Sequence, residues 1–182
     1  MIRLINIFLF IFLLTSCLKK DGDGFNVFKI KKGHHRSITR IEYTKTSTLT
    51  FTFILTESCK YESIDPINQY DVNKLYGMSD GGDHTDNSAR IGWRYLNNKL
   101  EIMAYTHYNG NFQFEKICEV EPNNVNSCQI SFLDDMYQFN VNNNIVYLPR
   151  YKNTSKRKYL LYPYFGGDEV APHDIEIKIK RE

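Results

Sequence analysis

The stretch "TSTLTFTFILT", residues 46–56, alternates threonine with Leu49, Phe51, Phe53 and Leu55. A period of two places the apolar side chains on one face of an extended chain and the hydroxyls on the other, so the segment predicts a half-buried β-strand. The pattern continues outward. "KLEIMAYTHY" (99–108) sets Leu100, Ile102, Ala104 and Thr106 against Glu101, Met103, Tyr105 and His107, and "HDIEIKIK" (173–180) sets Ile175, Ile177 and Ile179 against charges. "MYQFNV" and "IVYLPR" are joined through Asn142, while Asn97-Asn98 and Asn109-Gly110 separate further runs. Asparagine and glycine tolerate the positive φ that tight hairpin turns require. About eleven or twelve short strands follow one another with almost no helical period, the signature of an all-β sandwich or barrel. Residues 62–69 are the longest loop-like stretch, with room for one short helical turn. No internal repeat or interdomain linker divides the 182 residues, which suit one domain with a two-layer core.

Composition narrows the function classes. The 23 basic and 21 acidic residues leave a formal net charge of +2 and no basic stripe, so nucleic-acid binding is not expected. The one basic cluster, Lys152 to Lys158, reads as a solvated loop. Aromatic residues make up 14% of the chain, with 13 Tyr and 12 Phe. They suit cross-strand packing, and a ring face can also meet the C–H face of a sugar.

The first segment reads as an address. Arg3 precedes the apolar run Leu4 to Leu14 and then Thr15-Ser16-Cys17. A positive residue, a short apolar run and small residues make a secretory signal over residues 1–16, and the run is too short to span a bilayer as a helix. "LLTSC" resembles a bacterial lipobox, in which Cys17 is lipidated and heads the mature chain. The expectation is a protein held on the bacterial outer membrane by acyl chains, each buried CH₂ adding about 0.8 kcal/mol. Residues 17–24 then form the lipidated cysteine and a flexible polar tether, and residues 25–182 the β-sandwich domain. Acidic residues after the cysteine resemble a surface-export signal that Lys19 and Lys20 dilute, so both the periplasmic and the cell-surface leaflet stay open.

Three further cysteines are Cys59, Cys118 and Cys128. An oxidising compartment permits a disulfide. Cys118 and Cys128 flank Glu121-Pro-Asn-Asn, a turn signal. If strands 114–120 and 127–133 form a hairpin about residue 123, the two face each other, and a Cys118–Cys128 bond is expected. Cys59 is the odd one, expected to be buried. No C-x-x-C pair exists, so a structural zinc site is not expected.

"DVNKLYGMSDGGDHTDNSARIGWR", "LEIMAYTHYNG" and "LYPYFGGDEVAPHDIEI" resemble an uncharacterised family of bacterial secreted and lipid-anchored proteins. That family is similar to the concanavalin A-like jelly-roll superfamily of lectins and glucanases. The resemblance covers about residues 25–182. It implies a two-sheet antiparallel jelly-roll sandwich, with carbohydrate bound on the concave face or its rim. Fold does not fix chemistry, so the site must be argued from residues.

Retaining glucanases of the superfamily carry E-x-D-x-E or E-x-D-x-x-E on one strand, with two carboxylates about 5 Å apart flanking the scissile bond. The nearest match here, Asp174-Ile-Glu176, lacks the third carboxylate and lies where alternating charges read as a solvated face. Alginate lyases of the superfamily resemble R-x-E-L, Q-I-H and Y-x-K-x-G-x-Y. This chain has "RIGWR", "QIS" and "YPYFGG", so their acid and base positions do not carry over. None of the histidines (34, 35, 84, 107 and 173) sits in a nucleophile-elbow context, and no catalytic residue is assigned.

Two loops remain. In "SDGGDHTDNSARIGWR" (79–94), Asp80, Asp83 and Asp86 lie at spacing three, which lacks the alternation and terminal Glu of an EF-hand. They read as turn closure, as a weak Ca²⁺ site, or as a rim loop gripping a ligand through Asp83 and His84. No other cofactor is expected. "YPYFGGDEVAPHD" (162–174) reads as a packed aromatic corner or as a ligand platform at Tyr164.

Register then places a ligand face. A two-residue loop at Asn97-Asn98 pairs Leu96 with Lys99. Tyr95, Trp93 and Ile91 then face Leu100, Ile102 and Ala104 as core. The other side pairs Arg94 with Glu101, Gly92 with Met103, Arg90 with Tyr105 and Ser88 with His107. Arginine forks suit carboxylates and hydroxyls, and a tyrosine ring can stack on a sugar. An anionic glycan is therefore the expected ligand, with Gly92 leaving a flat gap. The next hairpin, at Asn109-Gly110, brings Phe112 and Phe114 beside His107 and Tyr105 and covers part of this face. Three functions compete: a non-enzymatic carbohydrate-binding lipoprotein, a polysaccharide lyase or glycoside hydrolase with an unrecognised site, and a structural or adhesive protein-binding lipoprotein. The sequence favours the first.

Overall fold

The structure, a computed structural model, describes residues 19–151 and 157–182. The signal segment, Cys17 and residues 152–156 of the basic cluster lie outside the described residues. Among the described residues, twelve strands form two antiparallel sheets of six. The first sheet runs β1 (Asn26–Ile30), β12 (Ile175–Arg181), β3 (Thr48–Leu55), β8 (Asn126–Phe132), β9 (Met136–Val141), β10 (Asn144–Pro149). The second runs β2 (Tyr43–Thr44), β11 (Lys158–Leu161), β4 (Asn73–Ser79), β5 (Ser88–Leu96), β6 (Lys99–Tyr108), β7 (Asn111–Val120). Among the described residues helix is confined to two 3-10 turns, Glu57–Cys59 and Pro66–Tyr70. The second begins where Asp65 accepts the Ile67 N–H and Pro66 needs no donor partner.

The alternating residues meet between the layers. Leu49, Phe51, Phe53 and Leu55 from β3 are buried with Ile91, Trp93 and Ile102 from the second sheet and Tyr137 and Phe139 from β9. Each such side chain contributes about 1.5–3 kcal/mol by leaving water. The hairpins form on the expected residues: Asn97 and Asn98 have φ of 50° and 61°, Asn142 and Asn143 of 49° and 69°, and Asn109 of 47°. Register follows, from Leu96 opposite Lys99 to Ser88 opposite His107, and from Tyr108 opposite Asn111 to Tyr105 opposite Phe114.

Two expectations fail. Asn123, at φ 63°, does turn the chain, but β7 and β8 lie in different sheets. β8 pairs with β3 and β9 instead. A turn signal fixes where a chain bends, not which sheet the next strand joins. The hairpin that would have set Cys118 against Cys128 is absent, and Cys59, Cys118 and Cys128 are free thiols. Cys59 is buried, as expected. Residues 19–24, read as a loose tether, are instead folded. Lys20 bridges to Asn26, and the Asp21 carboxylate accepts the Asp23 and Phe25 N–H groups at 3.0 and 2.9 Å. Lys178 holds the same carboxylate at 3.0 Å. Aspartate closes turns on its own backbone, which polar composition alone does not reveal.

Candidate functional site

Register sends Lys74 and Gly77 of β4, Arg90 and Arg94 of β5, Glu101, Tyr105 and His107 of β6, and Phe112 and Phe114 of β7 to the face turned away from the core. This open face has two unlike halves. Around Arg94 it is closed. The guanidinium donates to Glu101 at 2.7 Å and to the Tyr70 carbonyl at 3.1 Å, and Lys116 reaches Glu101 at 2.7 Å and Glu119 at 2.8 Å. Burial works against the Glu101 carboxylate, yet the Lys116 and Arg94 hydrogen bonds hold its pKa below the ordinary value. Arg94 and Glu101, expected to meet a ligand, satisfy each other instead. Nor is Gly92 a gap: a Cβ there would meet Val72 Cγ1 at 2.3 Å, because Val72 lies over it and packs with Met103 and Tyr105.

The half around Arg90 differs. Gly77 brings β4 so close that a Cβ would stand 2.1 Å from the Ala89 carbonyl oxygen and 2.9 Å from Arg90 Cγ, so the arginine stem lies flat across it. Arg90 is 7% exposed and, among the described residues, has no ion-pair partner and no hydrogen-bond acceptor for its Nε. Burial pushes its pKa down to about 10, against the phenols of Tyr105, Tyr159 and Tyr164 around it. Lys74 stands nearby with its Nζ 4.8 Å from the Tyr105 ring centre, donating to the Gly166 carbonyl at 3.2 Å. Burial, then the Arg90 charge, push Lys74 down to about 8. Burial and the neighbouring cations press His107 down to about 4, and burial lowers His84 as well. Asp71 and Asp83 act on these groups through space, but neither pairs with Lys74 or Arg90.

The rim completes the picture. Asp83 accepts both the N–H and the hydroxyl of Thr85 at 2.9 Å, closing a turn. His84 is tied to the Tyr159 hydroxyl, 3.1 Å from its N–H and 3.0 Å from its Nδ1. His107 Nδ1 lies 3.4 Å from Ser88 Oγ. Tyr164 bridges Arg36 and Lys74 in the backbone and stacks on His35 at 5.1 Å. Phe165 of the same loop packs into the core against Tyr61 and Trp93, so the loop is a packed corner that leaves Tyr164 at the face. Tyr105 is 6% exposed, so its hydroxyl can serve the site but its ring cannot carry a sugar.

The three aspartates weighed for Ca²⁺ are not brought together. Asp80 turns inward, accepting from Tyr137 Oη at 3.0 Å and from Arg150 Nε and Nη2 at 2.6 and 3.1 Å, while Asp83 and Asp86 remain in the loop. Among the described residues no group of three or more His, Cys, Asp or Glu could hold a metal. The glucanase-like carboxylates are likewise engaged elsewhere, Asp174 with Lys31 at 2.7 Å and Glu176 with Lys29 at 3.1 Å.

Of the residues expected at a site, the structure brings Arg90, Tyr105, His107, Asp83, His84 and Tyr164 together. It sets Lys74 and Tyr159 beside them, which the sequence reading did not include. Lys74 precedes a bulge that turns both Leu75 and Tyr76 to the core, which breaks the alternation of β4. Tyr159 lies on a strand of four residues, too short to show a period.

No protein-family model matches the sequence, and no curated protein sequence does. Solved structures do match. The catalytic domain of an endo-1,3-β-glucanase from Thermotoga petrophila RKU-1 superposes with a TM-score of 0.58 at 12% identity, over 87% of this chain and 76% of that one. The alginate lyase AlyC3 gives 0.58 at 10% identity, over 88% and 74%. A family 16 glycoside hydrolase from Bacteroides ovatus, in complex with the product G4G4G3G, gives 0.56 at 10%, over 90% and 84%. The fold is the concanavalin A-like jelly roll. At such low identity this likeness to the jelly-roll enzymes fixes the architecture, and the residues above must carry the function.

Proposed function

We propose that the protein binds an anionic polysaccharide on the open face of its second sheet, without catalysis, and is held on a bacterial outer membrane through Cys17. The observation that carries the reading is Arg90, a buried guanidinium with no carboxylate partner among the described residues, set beside Lys74 among three tyrosines. A buried charge is costly unless paired, and a ligand carboxylate would supply the partner. Arginine offers it a fork, lysine a point charge, and the phenols reach sugar hydroxyls. The jelly-roll likeness to glucanases and an alginate lyase, one form of which was solved with dimannuronate, supports a glycan as the carrier of that carboxylate. A glycan array with neutral and uronate-containing members tests this. Uronate chains should bind above neutral glucans, and equal binding of both would refute the choice. The anchor has its own test: Cys17→Ser should move the protein out of the detergent phase of Triton X-114.

One observation favours a second reading, a polysaccharide lyase. His107 is neutral at physiological pH and stands with Tyr105 near Arg90. A guanidinium on the carboxylate acidifies the adjacent C–H, the neutral His107 takes that proton, and the C–O bond on the next carbon breaks, its oxygen leaving with a proton from the Tyr105 hydroxyl and a C=C double bond remaining. Ultraviolet absorbance of an unsaturated uronate, accumulating with time, would replace the non-enzymatic reading with this one.

A further inference from the structure

Beside the cationic half of the open face lies a patch that the carboxylate reading does not use. Phe112 and Phe114 sit on β7, the edge strand of the sheet, opposite His107 and Tyr105. They are 64% and 41% exposed. Two exposed phenylalanines on one face of an edge strand lose the benefit of burial and invite edge-to-edge association. Yet they are not loosely held. Both rings lie within 4° of parallel to Tyr105, at centroid distances of 6.1 and 6.4 Å. Tyr105 is itself fixed between them and Lys74. The array is a preset apolar platform next to an unpaired cation, and a sugar chain offers both matching surfaces: carboxylates and the C–H faces of its rings.

Spacing decides how large the ligand must be. Arg90 is on β5 and the phenylalanines on β7, two strand spacings apart, about 9.6 Å. That exceeds the span of one pyranose ring. We infer that the ligand is an oligouronate lying across the strands, with one unit's carboxylate at Arg90 and Lys74 and a neighbouring unit stacked on Phe112 and Phe114. This rests on the anionic-polysaccharide reading and deepens it by assigning a second subsite and the direction of the chain.

The test compares mannuronate monomer, dimer and tetramer against the full chain by calorimetry, with competition for weak binders. Wild type should bind the dimer or tetramer at least about tenfold more tightly than the monomer. The double variant Phe112→Ser/Phe114→Ser should lose that gain and keep the monomer affinity, and Phe112→Ser alone, at the more exposed ring, should lose part of it. Monomer binding with no gain from added units would overturn the inference and leave the anionic-glycan reading standing. Absence of binding by every member, with the protein folded, would overturn both.

Discussion

Arg90 is the side chain on which the proposed function rests. Its charge is almost wholly withdrawn from water and, among the described residues, has no acid beside it, an arrangement that costs the free protein stability. Methionine has similar length and no charge. Arg90→Met is therefore expected to keep or raise the melting temperature while abolishing uronate binding. A fall in melting temperature like that of a core truncation would give Arg90 a structural role instead. Lys74 makes the companion prediction for pH. Its ammonium titrates near 8 in the free protein because of burial and then Arg90. The charged form attracts the carboxylate, so affinity should be full at neutral pH and fall as pH rises through about 8. Calorimetry across that window checks it, and Lys74→Met should flatten the slope. Arg90 was legible in the sequence because a two-residue turn counts the register directly. Lys74 was not, because a bulge offsets its strand by one residue.

Among the elements, β5, β6 and β7 were the most readable, since alternation fixes the face and asparagine turns fix the pairing. What lay beyond reach were contacts from outside the hairpins. Val72 covers Gly92 from the segment entering β4, and Lys116 closes the Arg94–Glu101 pair across a bulge between Ile102 and Met103. The loop after β4 gives the clearest case. Its aspartates suggested turn closure, a metal or a grip, and Asp83 does close a turn. Asp80 joins the two layers instead, through Tyr137 of β9 and Arg150 beyond β10. Asp80→Asn would leave Arg150 without its counter-charge, at a cost of about 3 kcal/mol, the low end for a broken buried pair because Arg150 keeps some access to water. Urea denaturation measures that loss. Added Ca²⁺ should leave the melting temperature of the wild type unchanged.

At the scale of the molecule, strand count, layer number and the lack of long helix among the described residues were legible in the sequence, because each follows from local periodicity. The partition of strands between sheets was not, and the expected Cys118–Cys128 bond failed with it. Residues 19 and 20 run beside β1 at the edge of the first sheet, and the candidate face looks outward from the other sheet. The proposed function places a glycan carboxylate on this outward face. A crystal structure of the protein grown with an oligomannuronate is the sharpest test. A carboxylate is expected within hydrogen-bond distance of Arg90, near Lys74, with a sugar ring against Phe112 or Phe114. Sugar density on any other surface, with Arg90 still unpaired, would contradict it.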